Sequence, residues 1–245
     1  MTYLVEVKNL KKKYSSKEAV KNISFSIKEN EILGLLGPNG SGKTTTIGML
    51  LGLLKPSSGE IKIDNMDFER NRIEILSKIN FISPYIELPK KLTVKQNLTV
   101  YGKLYNIKNL IERVEYLTEK LRLEDLLKRV TGELSSGQKN RVSLAKALIN
   151  KPKVLFLDEP TASLDPEVGD FVRSFLENYK KENKISILLA SHNMNEVNRL
   201  CKSVLMMKNG LIIDEGTPKF LINKHGRKNL EEVFLKLSRS ENESN

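Results

Sequence analysis

Gly37, Pro38, Asn39, Gly40, Ser41, Gly42, Lys43 and Thr44 match the pattern G-x-x-x-x-G-K-[ST] in full, and a further hydroxyl, Thr45, follows. Glycines at these places let backbone N–H groups converge on phosphate oxygens that a side chain would hold away. The apolar run ILGLLG precedes the loop and TTTIGMLLGLLKP follows it. The spacing therefore predicts a strand, the loop, and a helix running to Pro56, whose N-terminus adds partial positive charge. Lys43 is placed to neutralise β- and γ-phosphates, and Thr44 to offer a hydroxyl to Mg2+. Such a loop implies a nucleotide but names no reaction.

Two adjacent acids supply the next part. In VLFLDEP, Asp158 closes an apolar strand, where a carboxylate can reach Mg2+ through its water shell. Glu159 follows directly, placed to accept a proton from an attacking water. His192 ends the apolar run ISILLASH. By itself it also fits a hydrogen-bonded core histidine, but at the carboxyl edge of a parallel strand it would face the phosphates. Asp165 and Pro166 read as a helix N-cap and first helical residue. Tyr14 is an exposed aromatic that could stack on an adenine ring. A second hydroxyl-rich loop, ELSSGQKNR, lies far downstream. There Ser135 and Gln138 have the spacing of a capping box that opens the helix VSLAKALI, ended by Pro152.

The elements needed to hold these residues are legible around them. YLVEVKNL, AVKNISFSIKENE and EIKIDN read as strands in the first third. KVLFLDEP and ISILLASH are continuous apolar runs, as parallel strands buried on both faces require. LTVKQNLTVYGKLYN and IERVEYLTEKLRLEDLL carry apolar residues three and four apart and predict two amphipathic helices. Asn209-Gly210 between two strand patterns predicts a hairpin. These elements predict an α/β fold: a P-loop NTPase core with a parallel sheet, an N-terminal antiparallel β subdomain and an inserted α-helical subdomain. We divide residues 1–237, one domain, into a core of about 1–88 and 150–237 and a helical part of about 89–149; 238–245 reads as a polar tail.

Composition bounds the setting. The 245 residues are 39% hydrophobic and contain no apolar run approaching the ~18 residues of a membrane span. The single cysteine, Cys201, excludes an internal disulfide framework and fits a reducing cytoplasm. Net charge is +11, and residues 90–150 hold thirteen Lys and Arg against six Asp and Glu. Nucleic acid, anionic lipid, a polyanionic ligand or an ordinary solvated surface would all answer to that excess.

GPNGSGKTT, LSSGQ, VLFLDEP, SLDP and ASH occur in the order and spacing of the ATP-binding subunits of ABC transporters, and the chain resembles them from about residue 3 to about 237. The resemblance implies an ATPase that binds ATP and Mg2+, with Tyr14 stacking on adenine, Asp158 organising the metal and Glu159 as catalytic base. His192 becomes the switch histidine. Ser135, Ser136, Gly137 and Gln138 belong to a signature that covers ATP held by a second subunit, and Asp165 lies in a loop touching that partner. The implied partners are that second subunit, a homodimeric copy or a close paralogue, and membrane permease subunits. The implied location is the cytoplasmic face of the membrane, with no nucleic acid involved. The ending GLIIDEGTPKFLI with NLEEVFLKL looks like exporter subunits.

Two departures from the family pattern stand out. Ser136 replaces a common glycine, and the expected glutamine near Pro84 is missing; the only glutamines are Gln96 and Gln138. Ser83, Tyr85 and Glu87 are the local candidates to replace it. A soluble cassette ATPase acting on DNA or the ribosome is the second reading. Against it, the Lys43–Ser135 interval has no room for long coiled coils or a zinc module. A degenerate, regulatory nucleotide binder is the third, and the retained Glu159 and His192 argue against it.

Overall fold

A computed structural model of the chain describes residues 3–84 and 86–240. From the N-terminus come β1 (Tyr3–Tyr14), β2 (Lys17–Lys28), β3 (Ile32–Leu36), α1 (Lys43–Leu50), β4 (Ser58–Ile63), β5 (Met66–Asp67) and α2 (Arg72–Lys78). Next are β6 (Ile79–Ile82), α3 (Val94–Leu104), α4 (Leu110–Lys120), α5 (Ser136–Leu148), β7 (Val154–Asp158) and α6 (Pro166–Asn183). The chain closes with β8 (Ser186–Ser191), α7 (Met194–Leu200), β9 (Ser203–Lys208), β10 (Leu211–Gly216), α8 (Pro218–His225) and α9 (Leu230–Ser240). These elements form two units, Met1–Ile75 with Ser186–Asn245, and Leu76–Ile185.

In the first unit, β1 pairs antiparallel with β2 on one side and β4 on the other, and β5 continues from β4. Val5, Val7 and Leu10 supply the buried side of β1. A second set of strands is built on β3, which runs parallel to both β8 and β9, with β10 antiparallel beyond β9. Every residue of β3 and β8 is buried. That explains why their sequences are continuous apolar runs rather than alternating ones. In the second unit β6 pairs parallel with β7, and α3, α4 and α5 fall within residues 94–148. The expected α/β class, with parallel strands, an antiparallel N-terminal sheet and added helices, is the one observed.

Three boundaries differ from expectation. The helix after the glycine loop ends at Leu50, before the chain reaches Pro56. Gly52, at φ 64°, closes it: Gly52 N–H donates to the Met49 carbonyl and Leu53 N–H to the Gly48 carbonyl. This is a Schellman stop, which a glycine favours because it enters the left-handed region without a Cβ penalty. IERVEYLTEKLRLEDLL is likewise broken. Arg122 takes φ 54°, Leu123 N–H turns back to the Thr118 carbonyl, and only a single 3-10 turn, Glu124–Leu126, follows. An arginine gives no sequence signal for that stop. Lastly, α9 runs to Ser240, into the stretch read as a tail, while 241–245 lie outside the described residues.

Candidate nucleotide site

The first unit holds the glycine loop between β3 and α1. A Cβ on Gly37 would fall 2.2 Å from the Met207 carbonyl oxygen, and one on Gly42 2.6 Å from the Ala19 carbonyl oxygen. Both glycines are therefore required by close approach, with Gly42 also at φ 110°. The floor beneath them is knitted from distant chain segments. Gly210 N–H donates to the Ser41 carbonyl at 2.9 Å, and Lys21 N–H donates to the Gly210 carbonyl at 2.7 Å. The β9–β10 turn at Asn209-Gly210, the hairpin expected from sequence, thus doubles as one wall of the loop. Nothing in the local pattern GPNGSGKTT signals that wall.

Lys43 is 5% exposed, and its ammonium donates to the Gly37 carbonyl at 2.6 Å and the Pro38 carbonyl at 3.1 Å. These bonds fold the side chain back along its own loop, beneath the exposed Pro38, Asn39 and Gly40. Gly40, at φ 80°, has open space where a Cβ would lie. Ser41 Oγ is buried and has no hydrogen-bond partner among the described residues. A buried ammonium, an orphaned hydroxyl and an open backbone arch fit a phosphate group, since each is a donor for anionic oxygen. Thr44 is exposed and Thr45 half-buried at the start of α1.

Tyr14 ends β1 and is 44% exposed, with Lys12 Nζ 5.0 Å from its ring centroid. His192 follows β8 and is exposed. The corner beside it is fixed by Ser191, whose hydroxyl donates to Glu196 Oε2 at 2.8 Å and accepts from Asn193 N–H at 3.0 Å. Asn193 caps α7, its side chain accepting from the Asn195 and Glu196 N–H groups.

The second unit holds the acids and the second loop. Asp158, 1% exposed, ends β7. Glu159 adopts φ 51°, a left-handed conformation that a non-glycine residue enters at a cost of roughly 1–3 kcal/mol. It lines a cavity of about 220 Å³ together with Ser83, Ser136, Lys139, Asn140 and Ser143. The loop after β6, the start of the signature helix and the carboxylate after β7 therefore share one space within this unit.

Ser135 caps α5 with a complete capping box. Its hydroxyl accepts from Gln138 N–H at 3.3 Å, and its own N–H donates to Gln138 Oε1 at 3.0 Å. Asp165 caps α6 by accepting from Val168 N–H at 3.0 Å, with Pro166 next as expected. The two helix starts meet: a Cβ on Gly137 would lie 3.1 Å from Val168 Cγ1, and Asn140 Nδ2 donates to the Pro160 carbonyl at 2.7 Å.

Both glutamines are engaged in helix capping. Gln96 completes a capping box with Thr93 at the start of α3, just as Gln138 does for α5. Glu87 is exposed and pairs with Lys90 at 2.6 Å, whose hydrogen bond holds the carboxyl below its usual range. Ser83 lines the Glu159 cavity, as does Glu87. Tyr85 lies outside the described residues.

A family model described as ABC transporter matches residues 20–162. Over 236 residues the chain is 37% identical to the bacitracin transport ATP-binding protein BcrA of Bacillus licheniformis, covering 94% of this chain and 75% of that protein. It is 37% identical over 220 residues to the Nod factor export ATP-binding protein I of Burkholderia orbicola (strain AU 1054), covering 89% of this chain and 72% of that protein. A dimeric structure of an ATP-binding cassette in a post-hydrolysis state, bound to ADP and Pi, superposes with a TM-score of 0.80 at 27% identity, covering 87% of this chain and 98% of that one. The chain belongs to the ABC transporter family: it is an ATP-binding subunit, an ATPase of the transport machinery. Among the described residues, no helix is long and apolar enough to cross a membrane.

Proposed function

We propose that this subunit closes head to tail on a second subunit around ATP and drives export through a separate membrane permease, on whose cytoplasmic side it is held. Export follows the Nod factor relative, and dimerisation follows the cassette dimer bound to ADP and Pi. The loop from Gly37 to Thr45 takes the phosphates, Lys43 neutralises the terminal ones, and Tyr14 carries the adenine. Ser135, Ser136, Gly137 and Gln138 cover the partner's ATP, and Asp165 contacts the partner. Thr44 and Asp158 are the residues that would hold Mg2+, which when bound neutralises charge on the β- and γ-phosphates. One carboxylate and one hydroxyl suffice, because Mg2+ takes most of its ligands from phosphate and water.

The observation that carries the hydrolytic reading is Glu159. Its backbone is held in an unfavourable conformation directly after a buried aspartate, and its side chain faces a cavity. Strain of that kind is kept where a side chain must be aimed. Glu159 takes the proton of the attacking water, and His192 contacts the γ-phosphate. The test is Glu159→Gln, which preserves shape but removes the base. ATP binding is expected to remain, hydrolysis to fall by at least about a hundred-fold, and an ATP-bound dimer to accumulate on size-exclusion chromatography. Multi-turnover hydrolysis near the wild-type rate would overturn the assignment.

A further inference from the structure

Lys12 and Tyr14 are two residues apart on β1, and across the irregular pairing between Lys12 and Lys13 the Lys12 ammonium lies over the Tyr14 ring. Lys12 stands opposite Val20 of β2, and Val20 Cγ2 lies 3.5 Å from where a Cβ on Gly42 would be. The face carrying Lys12 is thus the one that packs under the glycine loop. From there the Lys12 ammonium reaches two places. It lies 5.0 Å from the Tyr14 ring centroid, and it donates to the Lys55 carbonyl at 2.7 Å. Lys55 belongs to the loop leaving α1, the helix that Lys43 opens. One half-buried side chain therefore ties the aromatic platform to the loop that follows α1.

We propose that Lys12 is a base-selecting, positioning residue: its ammonium braces one face of Tyr14, so that a purine stacks on the other. This rests on the reading that Tyr14 carries the base. A cation over an aromatic ring is attracted by the ring's negative face and draws density toward itself. The opposite face then presents less negative charge to an incoming base, which reduces repulsion between two electron-rich π-faces. A purine, with the larger stacked area, gains more from this than a pyrimidine. The bond to the Lys55 carbonyl holds the ammonium in place, so the ring is ordered before the nucleotide arrives.

The experiment measures equilibrium binding of ATP, CTP and inorganic tripolyphosphate to the full chain. Lys12→Met keeps the aliphatic stem and removes the cation. Affinity for ATP is expected to fall about two- to five-fold, affinity for CTP by less, and affinity for tripolyphosphate not at all. Lys12→Arg, which retains a cation, should restore the ATP preference. If Lys12→Met weakens ATP and tripolyphosphate alike, Lys12 merely supports the loop and base selection is wrong. ATP binding at wild-type strength or tighter in Lys12→Met, with Tyr14→Ala clearly weakened, would overturn the brace and leave the stacking role standing. Unchanged ATP affinity in Tyr14→Ala would instead remove the stacking role itself.

Discussion

Two loop-to-helix junctions in this chain look alike in sequence and are built on opposite plans. Gly42 opens α1 with no side-chain cap. Ser135 opens α5 with a full capping box, which satisfies the Gln138 N–H from within. Ser135 and Ser136 at this helix start are exposed, and Gly137 is buried. The first loop is pinned by distant backbone at Gly37, Gly42 and Gly210, whereas the second is capped by its own Ser135 and Gln138 and meets the Val168 side chain at Gly137. A loop that must hold phosphate by itself needs a rigid, externally supported arch. On the proposed function the second loop covers phosphate held elsewhere, and a shaped helix start suffices for that.

The sharpest way to break this contrast is to add one methyl group to each loop. In Gly37→Ala the new Cβ meets a backbone carbonyl that cannot move aside. ATP affinity should drop by at least about ten-fold, with unfolding destabilised by about 1–3 kcal/mol. In Gly137→Ala the Cβ meets only the Val168 side chain at 3.1 Å, which can shift, and a helical alanine gains propensity. Its thermal stability and the single subunit's affinity for ATP at its own Gly37–Thr45 loop should stay near wild type. Equal losses in the two variants, by calorimetry and nucleotide titration, would mean that the second loop is also externally braced.

Each helix also carries a buried lysine, and the pair behaves differently. Lys43 gathers loop carbonyls where phosphate would bind. Lys146 on α5 is 9% exposed, donates to the Phe81 carbonyl at 3.3 Å, and lies against the Phe81 and Tyr101 rings. Burial pushes its ammonium down from 10.5 to about 8. Below that value the folded chain carries a poorly solvated charge at a cost. As pH rises toward 10.5 the folded chain gives up a proton that the unfolded chain keeps, and the cost fades. Lys146→Met should therefore be more stable than wild type at pH 7, by at most about 3 kcal/mol, with the gap closing between pH 8 and 10.5. Urea melts across that range decide it; a gap independent of pH would mean that Lys146 is not the titrating group.

The smallest effect separates capping from contact within the second loop. Ser135→Ala removes the cap and should cost about 1 kcal/mol in unfolding free energy. Ser135→Arg should cost a similar amount yet also abolish ATP turnover, because it places a long side chain where the partner's phosphate is covered. If both variants hydrolyse ATP at the wild-type rate, Ser135 is a cap and nothing more.

Local chemistry made much of this legible in advance. Gly37 to Thr45, the acids after VLFL, the caps at Ser135 and Asp165, and the Asn209-Gly210 turn each announce themselves within a few residues. The forces involved act over one helical turn or one strand: convergent N–H groups, side-chain caps and apolar periodicity. Tertiary structure decided what those residues rest on. The Met207 carbonyl under Gly37, the Lys12 bridge to Lys55, and the cavity that Ser83 and Glu159 share all join segments far apart in sequence. The ends of α1 and α4 belong to a middle case. Gly52 could have been read as a stop, but Arg122 could not, because an arginine has no intrinsic preference for the left-handed turn it takes between the buried Leu121 and Leu123. A motif is a property of neighbours along the chain, so its residues can be named from sequence. The support beneath it is a property of neighbours in space, and only folding brings those together.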